Sequence, residues 1–478
     1  VKILFVVSEV EGLVKTGGLA DVARALPLEL VRMGYDVRVV MPYYRQLARQ
    51  SNSIKVIENV EMSIHDRSYN FSVHQIHFDE LVVYAVDFPL FFDREGVYSD
   101  SYHAYPDNAE RFAFFSMAAL RASQIMEFQP NVVHCNDWHT ALTPFFIKRD
   151  QTGYFKDTKS LLTIHNGAYQ CQQDFVFIPF LHPFDEISRR RDSHGALNFL
   201  KLGIEYADKV NAVSPNYARE LLTPMGSHNL YEDFKAREYD MSGILNGCDY
   251  DMWDPANDPH LVANYTAKTL ENKQLCKEAL QEEMKLKVDA KIPMLGIVCR
   301  LTEQKGFGYL VPAIWGLMQH NVHLVVVGNG DPAIADSLNQ CVEQHPDKIV
   351  FYDGFTEKLA HKVEAGCDFF LMPSLFEPCG LNQMYSLAYG TIPIVRGVGG
   401  LKDTVIDRND NPYISTGFVF DLPDSTALLS CIQRALLFYY ESPAGFQEMR
   451  RRAMQTKFTW REAANNYMML YEEMVDAF

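Results

Sequence analysis

The sequence predicts an α/β protein made of two doubly wound domains, each with a parallel sheet between layers of helix. Three observations predict it. Short β-branched runs alternate with amphipathic stretches of helical length, as parallel βαβ units do. The alternation occurs twice, on either side of a polar stretch that begins at Gly247. Polar and glycine-rich residues bunch directly after the strands, where an open parallel sheet holds its ligands.

In the first half, strands are expected at Ile3–Val7, Val37–Met41, Leu81–Val86, Asn131–His134, Ser160–Ile164 and Lys209–Val213. The intervening helices are Leu19–Met33, Asn108–Phe128 and Leu197–Tyr206. In the second half, Met294–Val298, His323–Val327, Lys348–Tyr352, Phe369–Met372 and Ile392–Val395 alternate with helices such as Phe307–Gln319 and Leu381–Tyr389. Between the halves, Asp249 to Asn264 reads as loop and Leu270 to Leu286 as a Lys/Glu-rich helix, which puts the hinge near Gly247. Trp460–Val475 is a helix beyond the last αβ unit. The expected domains are therefore 1–246 and 247–458, with 459–478 as a closing helix. Neither a tandem repeat nor a low-complexity tract interrupts them. Two such domains facing each other imply a deep cleft lined by the carboxyl ends of their strands.

The composition excludes several classes of function. Of 478 residues, 44 are Lys or Arg and 61 are Asp or Glu, a net charge of −17. That balance disfavours whole-surface attraction to nucleic acid or an anionic bilayer, so any anionic ligand must be gripped locally. The longest apolar runs, such as Ile3–Val7 and Leu324–Val327, fall far short of the ~20 residues of a membrane span. The opening residues read as a strand, without the basic region and long apolar core of a secretion signal. The 9 cysteines form neither a CxxC motif nor a disulfide framework. A cytoplasmic protein with reduced thiols is expected.

Five segments carry chemistry. The first βα turn contains Lys15-Thr16-Gly17-Gly18-Leu19-Ala20-Asp21: two glycines before a helix permit close backbone approach to an anion, and Lys15 adds a mobile charge. A plain Gly-Gly turn with a surface lysine would read the same way. After two neighbouring strands come His134-Cys135-Asn136-Asp137-Trp138-His139 and His165-Asn166-Gly167, at the sheet end where a site belongs. His134 and His139 do not share a helix face as zinc ligands would, and a buried His134 satisfied by its neighbours is the simpler reading. Arg300 and Lys305, between a strand and a helix, suit a diphosphate better than a carboxylate, although a solvated basic pair has the same pattern. Glu377 follows a strand in Ser374-Leu375-Phe376-Glu377-Pro378-Cys379-Gly380-Leu381, where a carboxylate beside an anion site suits sugar hydroxyls. Gly399-Gly400 repeats the glycine pair at another helix start, while Asp249-Tyr250-Asp251 is too short a pattern to assign a metal.

In order and spacing these segments, with Leu245-Asn246-Gly247, Trp253-Asp254-Pro255, Gly328-Asn329-Gly330-Asp331-Pro332 and Tyr389 to Arg396, resemble the bacterial glycogen synthase and plant starch synthase family, retaining transferases of the GT-B glycosyltransferase fold with two Rossmann-like domains. The resemblance implies glucosyl transfer from ADP-glucose to the non-reducing end of an α-1,4-glucan, with retention, no metal and no cofactor. It implies that Lys15, Gly17, Gly18, Asp21, Arg300 and Lys305 serve the donor diphosphate. His165, Asn246, Glu377 and the loop Cys379, Gly380, Leu381 would hold the donor glucose, with Asp137 and Trp138 on the acceptor side. Phe355 stands where a tyrosine often faces the base. Departures from the family pattern are Leu375 for Arg, Val398 for Thr, Leu202 for Gly, and Met225-Gly226-Ser227-His228-Asn229 for a Gly-rich stretch. Tyr385 stands where many two-domain transferases carry a second glutamate.

One dominant carboxylate, Glu377, rather than a pair, favours same-face transfer over a double displacement. Among rivals, another donor such as UDP-glucose keeps the fold. A phosphorylase would need a lysine context for a pyridoxal cofactor, and none stands out. A glucan-binding protein with a decayed site conflicts with intact Lys15, Arg300, Lys305 and Glu377.

Overall fold

The computed structural model of the chain describes residues 1–50 and 52–476, so the last two residues of the expected closing segment, Ala477 and Phe478, lie outside it. The chain divides into two compact units: Val1–Val213 with Ala218–Asn246 and Trp460–Phe478, and Ser214–Tyr217 with Gly247–Thr459.

The first unit is built on β1 (Lys2–Val6), β2 (Asp36–Pro42), β3 (Ser53–Ile64), β4 (Arg67–Phe78), β5 (Leu81–Asp87), β6 (Val132–Asn136) and β7 (Lys159–Ile164), followed by the short pair β8 (Gln172–Asp174) and β9 (Ala196–Asn198), then β10 (Lys209–Ala212) and β11 (Met241–Gly243). Nine of these form one sheet in the order β11-β10-β7-β6-β1-β2-β5-β4-β3. It is parallel from β11 to β5 and antiparallel across β4 and β3. The antiparallel pair is an addition to the parallel core expected from the sequence. Two register shifts in β3 break its alternation, and its turns, His65-Asp66 and Asp79-Glu80, contain no glycine, so the usual hairpin signals are missing. His65 and Asp79 instead adopt positive φ themselves, 52° and 53°.

Strand β1 is central, pairing in parallel with β2 and β6, so Ile3 to Val6 are fully buried. Helix Trp460–Asp476 packs on this unit rather than on the one preceding it in the chain. Two buried tyrosines explain its docking: Tyr471 shares a 2.6 Å hydrogen bond with His134 Nδ1, and the Tyr467 hydroxyl accepts one of 3.2 Å from Asn211. Arg461–Glu29 (3.0 Å) and Lys209–Glu473 (3.3 Å) flank them.

The second unit contains β12 (Met294–Val298), β13 (His323–Gly328), β14 (Ile349–Asp353), β15 (Phe369–Met372), β16 (Ile392–Arg396) and β17 (Phe418–Phe420), an all-parallel sheet in the order β14-β13-β12-β15-β16-β17. Helices cover both faces, which is why these strands read as unbroken apolar runs. On one face Leu295, Ile297, Leu324 and Leu371 pack with helices Phe307–Leu317 and Ser425–Glu441. On the other, Met294, Val298 and Phe370 pack with Glu271–Glu283 and Glu357–Gly366. A Cβ at Gly296 would lie 2.7 Å from Val363 Cγ1, so the glycine sets that helix's distance from the sheet. No helix among the described residues is long and apolar enough to cross a membrane.

The parallel part of each sheet reverses strand order beside its first strand, between β1 and β6 in one unit and between β12 and β15 in the other. A crevice opens outside the carboxyl ends of strands at such a point. The loops that start there are those beginning at Val7, Asp137, Cys299 and Pro373.

Candidate active site

In the first unit, the loop after β1 is organised by a residue the sequence reading passed over. Glu9 is buried, and its carboxylate accepts hydrogen bonds from Thr16 N (2.5 Å), Gly17 N (3.2 Å), Thr16 Oγ1 (3.0 Å) and the Tyr98 hydroxyl (2.9 Å). That grip fixes the turn into helix Gly18–Arg32. Gly17 is extended, and a Cβ at Gly17 or Gly18 would meet nothing within 4 Å. The chain's own packing therefore does not ask for glycine at either place. Lys15 pairs with Asp21 at 2.7 Å, with both side chains partly exposed. An exposed pair contributes little, so the ammonium can exchange Asp21 for a better anion.

At the end of β6, Asp137 has φ 57° and ψ −171°, a conformation essentially confined to glycine that costs a few kcal/mol in other residues. The strain aims its carboxylate at the loop after β7, where it accepts from His165 N (2.7 Å) and Asn166 N (3.4 Å). Burial pushes the Asp137 carboxyl up to about 7, against the pull of these donors. Asn136 donates its Nδ2 to Val6 O (3.0 Å), which turns its Oδ1 toward His165 Nε2 at 2.9 Å. His165 therefore carries its proton on Nε2 and presents Nδ1 as an acceptor. Burial holds the ring neutral, pushing it down to about 3. Trp138 packs edge-on against Phe112 (5.2 Å) and borders a cavity of about 740 Å³ with Tyr105, Asn108, Tyr169, Gln170 and Asn229. Aromatic faces among amide side chains suit a neutral polyhydroxyl ligand. Asn246 is buried with its Oδ1 unpartnered among the described residues.

In the second unit, the loops after β12 and β15 meet. Lys305 and Glu377, 72 residues apart, form a 2.9 Å ion pair with side chains only 18% and 10% exposed. Burial alone would lower the Lys305 ammonium, but Glu377 overrides it and the group is held above its ordinary value. Ser374 Oγ donates to the same Glu377 Oε2 at 2.9 Å. The loops are stitched by Leu375 N to Gln304 O (2.8 Å) and Gln304 Nε2 to Phe376 O (3.0 Å). Gly399 and Gly400 lie directly against this segment: a Cβ at Gly399, where φ is 47°, would sit 1.7 Å from Glu377 O. Gly380 turns at φ 78°, and Gln383 Nε2 donates to Cys379 O (2.9 Å) and Gly380 O (3.0 Å), fixing the approach to Leu381 and the following helix.

Arg300 follows β12 and is exposed, near enough for its charge to oppose that of Lys305. Phe355, 60% exposed after β14, lies three strands from β15. Asp249 of the Asp-Tyr-Asp run spends its carboxylate on its own turn, accepting from Asp251 N (3.0 Å) and Met252 N (3.3 Å). His134 is fully buried between Thr163 and Tyr471.

Ser214 and Asn216 also went unread. Both cluster with the second unit although they lie within 1–246. Ser214 Oγ donates to Pro378 O (2.6 Å), and Asn216 Nδ2 to Gly399 O (3.2 Å). Their only sequence signal was a Ser-Pro helix start after a strand.

The family model described as starch synthase catalytic domain matches residues 2–236, and the one described as glycosyl transferases group 1 matches 292–437. The chain is 48% identical to a glycogen synthase of Aeromonas hydrophila over 99% of this chain and 98% of that one. It is 47% identical to a glycogen synthase of Photobacterium profundum over 98% and 94%. Among solved structures, the catalytic domain of starch synthase IV from Arabidopsis thaliana, bound to ADP and acarbose, superposes with a TM-score of 0.89 at 29% identity, covering 99% of both chains.

Proposed function

Because the chain belongs to the glycogen synthase family of glycosyltransferases, we propose that it transfers glucose from ADP-glucose to the non-reducing end of an α-1,4-glucan, with retention at the anomeric carbon. The observation that carries this reading is the buried Lys305–Glu377 pair at the strand-order reversal of the second unit. It sets a cation for a departing diphosphate beside a carboxylate that can accept from sugar hydroxyls. ADP as nucleotide is supported by the starch synthase structure named with it.

In this reading Lys305, Arg300 and Lys15 carry the charge that builds on the diphosphate as the bond from C1 to the β-phosphate oxygen breaks. Gly17 and Gly18 allow the main chain close to the phosphates, and Asp21 releases Lys15 to them. Glu377, Asn246 and His165 orient the glucosyl ring, the first two by accepting from hydroxyls and His165 through its free Nδ1. Cys379, Gly380 and Leu381 offer main-chain groups to the donor, and Phe355 flanks the nucleotide. Asp137 and Trp138 serve the glucan side. The incoming 4-hydroxyl attacks from the face that ADP leaves, its proton passing to the leaving phosphate oxygen, so that no second carboxylate is needed. In the same reading the reaction takes place in the cytoplasm, with glycogen as the glucan.

The test is a donor competition. Purified protein with glycogen should release ADP from ADP-glucose much faster than it releases UDP from UDP-glucose. UDP release with no ADP release would overturn the donor assignment.

A further inference from the structure

A second cavity in the unit 247–459 plays no part in the site above. It encloses about 690 Å³ beside the start of β15, where Lys273, Lys277, Lys291, Arg450 and Arg451 line it against two carboxylates, Glu271 and Asp368. In a chain of net charge −17, five cations around one concavity reverse the character of the surface at large.

Internal pairing uses part of that charge. Asp368 gives one oxygen to Lys277 (2.7 Å) and the other to Arg450 Nη2 (2.6 Å). The Lys273 ammonium donates to Ala365 O and Thr391 Oγ1, both at 2.7 Å. Three donors are left over. Arg450 is 7% exposed, and its Nε is buried without a partner among the described residues. Lys291 and Arg451 stand exposed at the rim, Lys291 with Asp289 in its field. The aromatic wall is Tyr439 edge-on to Phe446 at 5.2 Å. Burial above all, with the Arg450 charge beside it, pushes the Lys273 ammonium down to about 7, while Asp368 opposes the shift. A buried donor left unpaired among like charges is costly unless an anion meets it.

We propose that this cavity is a second ligand site, which takes a phosphate dianion carried on a small molecule. Arg450 Nε, Lys291 and Arg451 grip the phosphate, and Tyr439 and Phe446 face the ester body. Charge-assisted hydrogen bonds from three cationic donors match the three terminal oxygens of a phosphomonoester.

Calorimetric titration of the full chain with inorganic phosphate and with phenyl phosphate, at constant ionic strength, tests it. Lys291→Glu/Arg451→Glu changes only exposed side chains, so folding is not at stake. Arg450→Lys keeps a charge facing Asp368 but removes Nε. The wild type should show a binding event that weakens by about tenfold or more in the double variant and several-fold in Arg450→Lys. Tighter binding of phenyl phosphate assigns an ester, and equal binding assigns free phosphate. Identical isotherms in wild type and double variant, or no binding at all, would overturn the site.

Discussion

Replacing Lys305 with Ala tests the pair on which the functional reading rests. At 2.9 Å and an effective dielectric of ~20, the gross attraction is roughly 6 kcal/mol. Desolvation offsets much of it, and removing one partner of a buried pair costs ~3–5 kcal/mol net. Ser374 still donates to Glu377 in the variant, which places the expected loss near the lower end, about 3 kcal/mol. In a unit of this size each kcal/mol moves the melting point by ~2–4 °C, so calorimetry should show a fall of roughly 6–12 °C. Adding Glu377→Gln neutralises the stranded carboxylate, so Lys305→Ala/Glu377→Gln should melt above the sum of the two single losses. Turnover measured by ADP release should drop by about 10²–10³ in Lys305→Ala. A variant that melts within ~2 °C of the wild type, or a double variant whose losses simply add, would refute the buried pair.

Glycine substitutions separate fold from ligand: Gly17→Ala, with open space around it, should leave melting unchanged and raise the donor KM, whereas Gly399→Ala should lower both stability, by about 1–3 kcal/mol, and turnover. Glu9→Gln replaces one of the two accepting oxygens with an NH2 donor and so loosens the hold on Thr16, Gly17 and Tyr98; the donor KM should rise with little change in kcat, read from initial rates. Asp137, raised from 3.8 to about 7 by burial, keeps a proton in the folded chain that the unfolded chain has released. Its contribution to stability is therefore full below 3.8 and lost as pH rises to about 7, and Asp137→Asn should flatten that fall in denaturation measured against pH.

The parallel strands were legible because burial on both faces leaves unbroken apolar runs, as in His323–Gly328. The hairpin of β3 and β4 was not, because its bulges scramble the two-residue period and its turns adopt positive φ without glycine. The chemical groups at strand ends were legible as residue types after strands, as with Glu377 and His165. Their partnerships were not: nothing local to Lys305 marks Glu377 as its counterion, and the Trp253 ring stacks between His361 (3.7 Å) and Tyr385 (3.9 Å) from positions far apart in the chain. Glu9 escaped notice because its work is internal, accepting main-chain N–H groups of its own loop. Ser214 and Asn216 escaped because they act on backbone carbonyls, which carry no side-chain signature.

The irregularity that hid β3 has a consequence for how copies of the chain behave together. The sheet of the first unit ends on this strand, and an open edge offers unpaired N–H and C=O groups to any passing strand. Ile54 and Val56 are exposed there and would make that edge adhesive. The two register shifts, the positive φ of Asn59 and the Lys55–Glu58 ion pair interrupt the flat, regular template that strand addition needs. The opposite edge, β11, is only 3 residues long. Many molecules gathered on one glucan particle would bring such edges close, where the bulged strand offers a poor template for pairing.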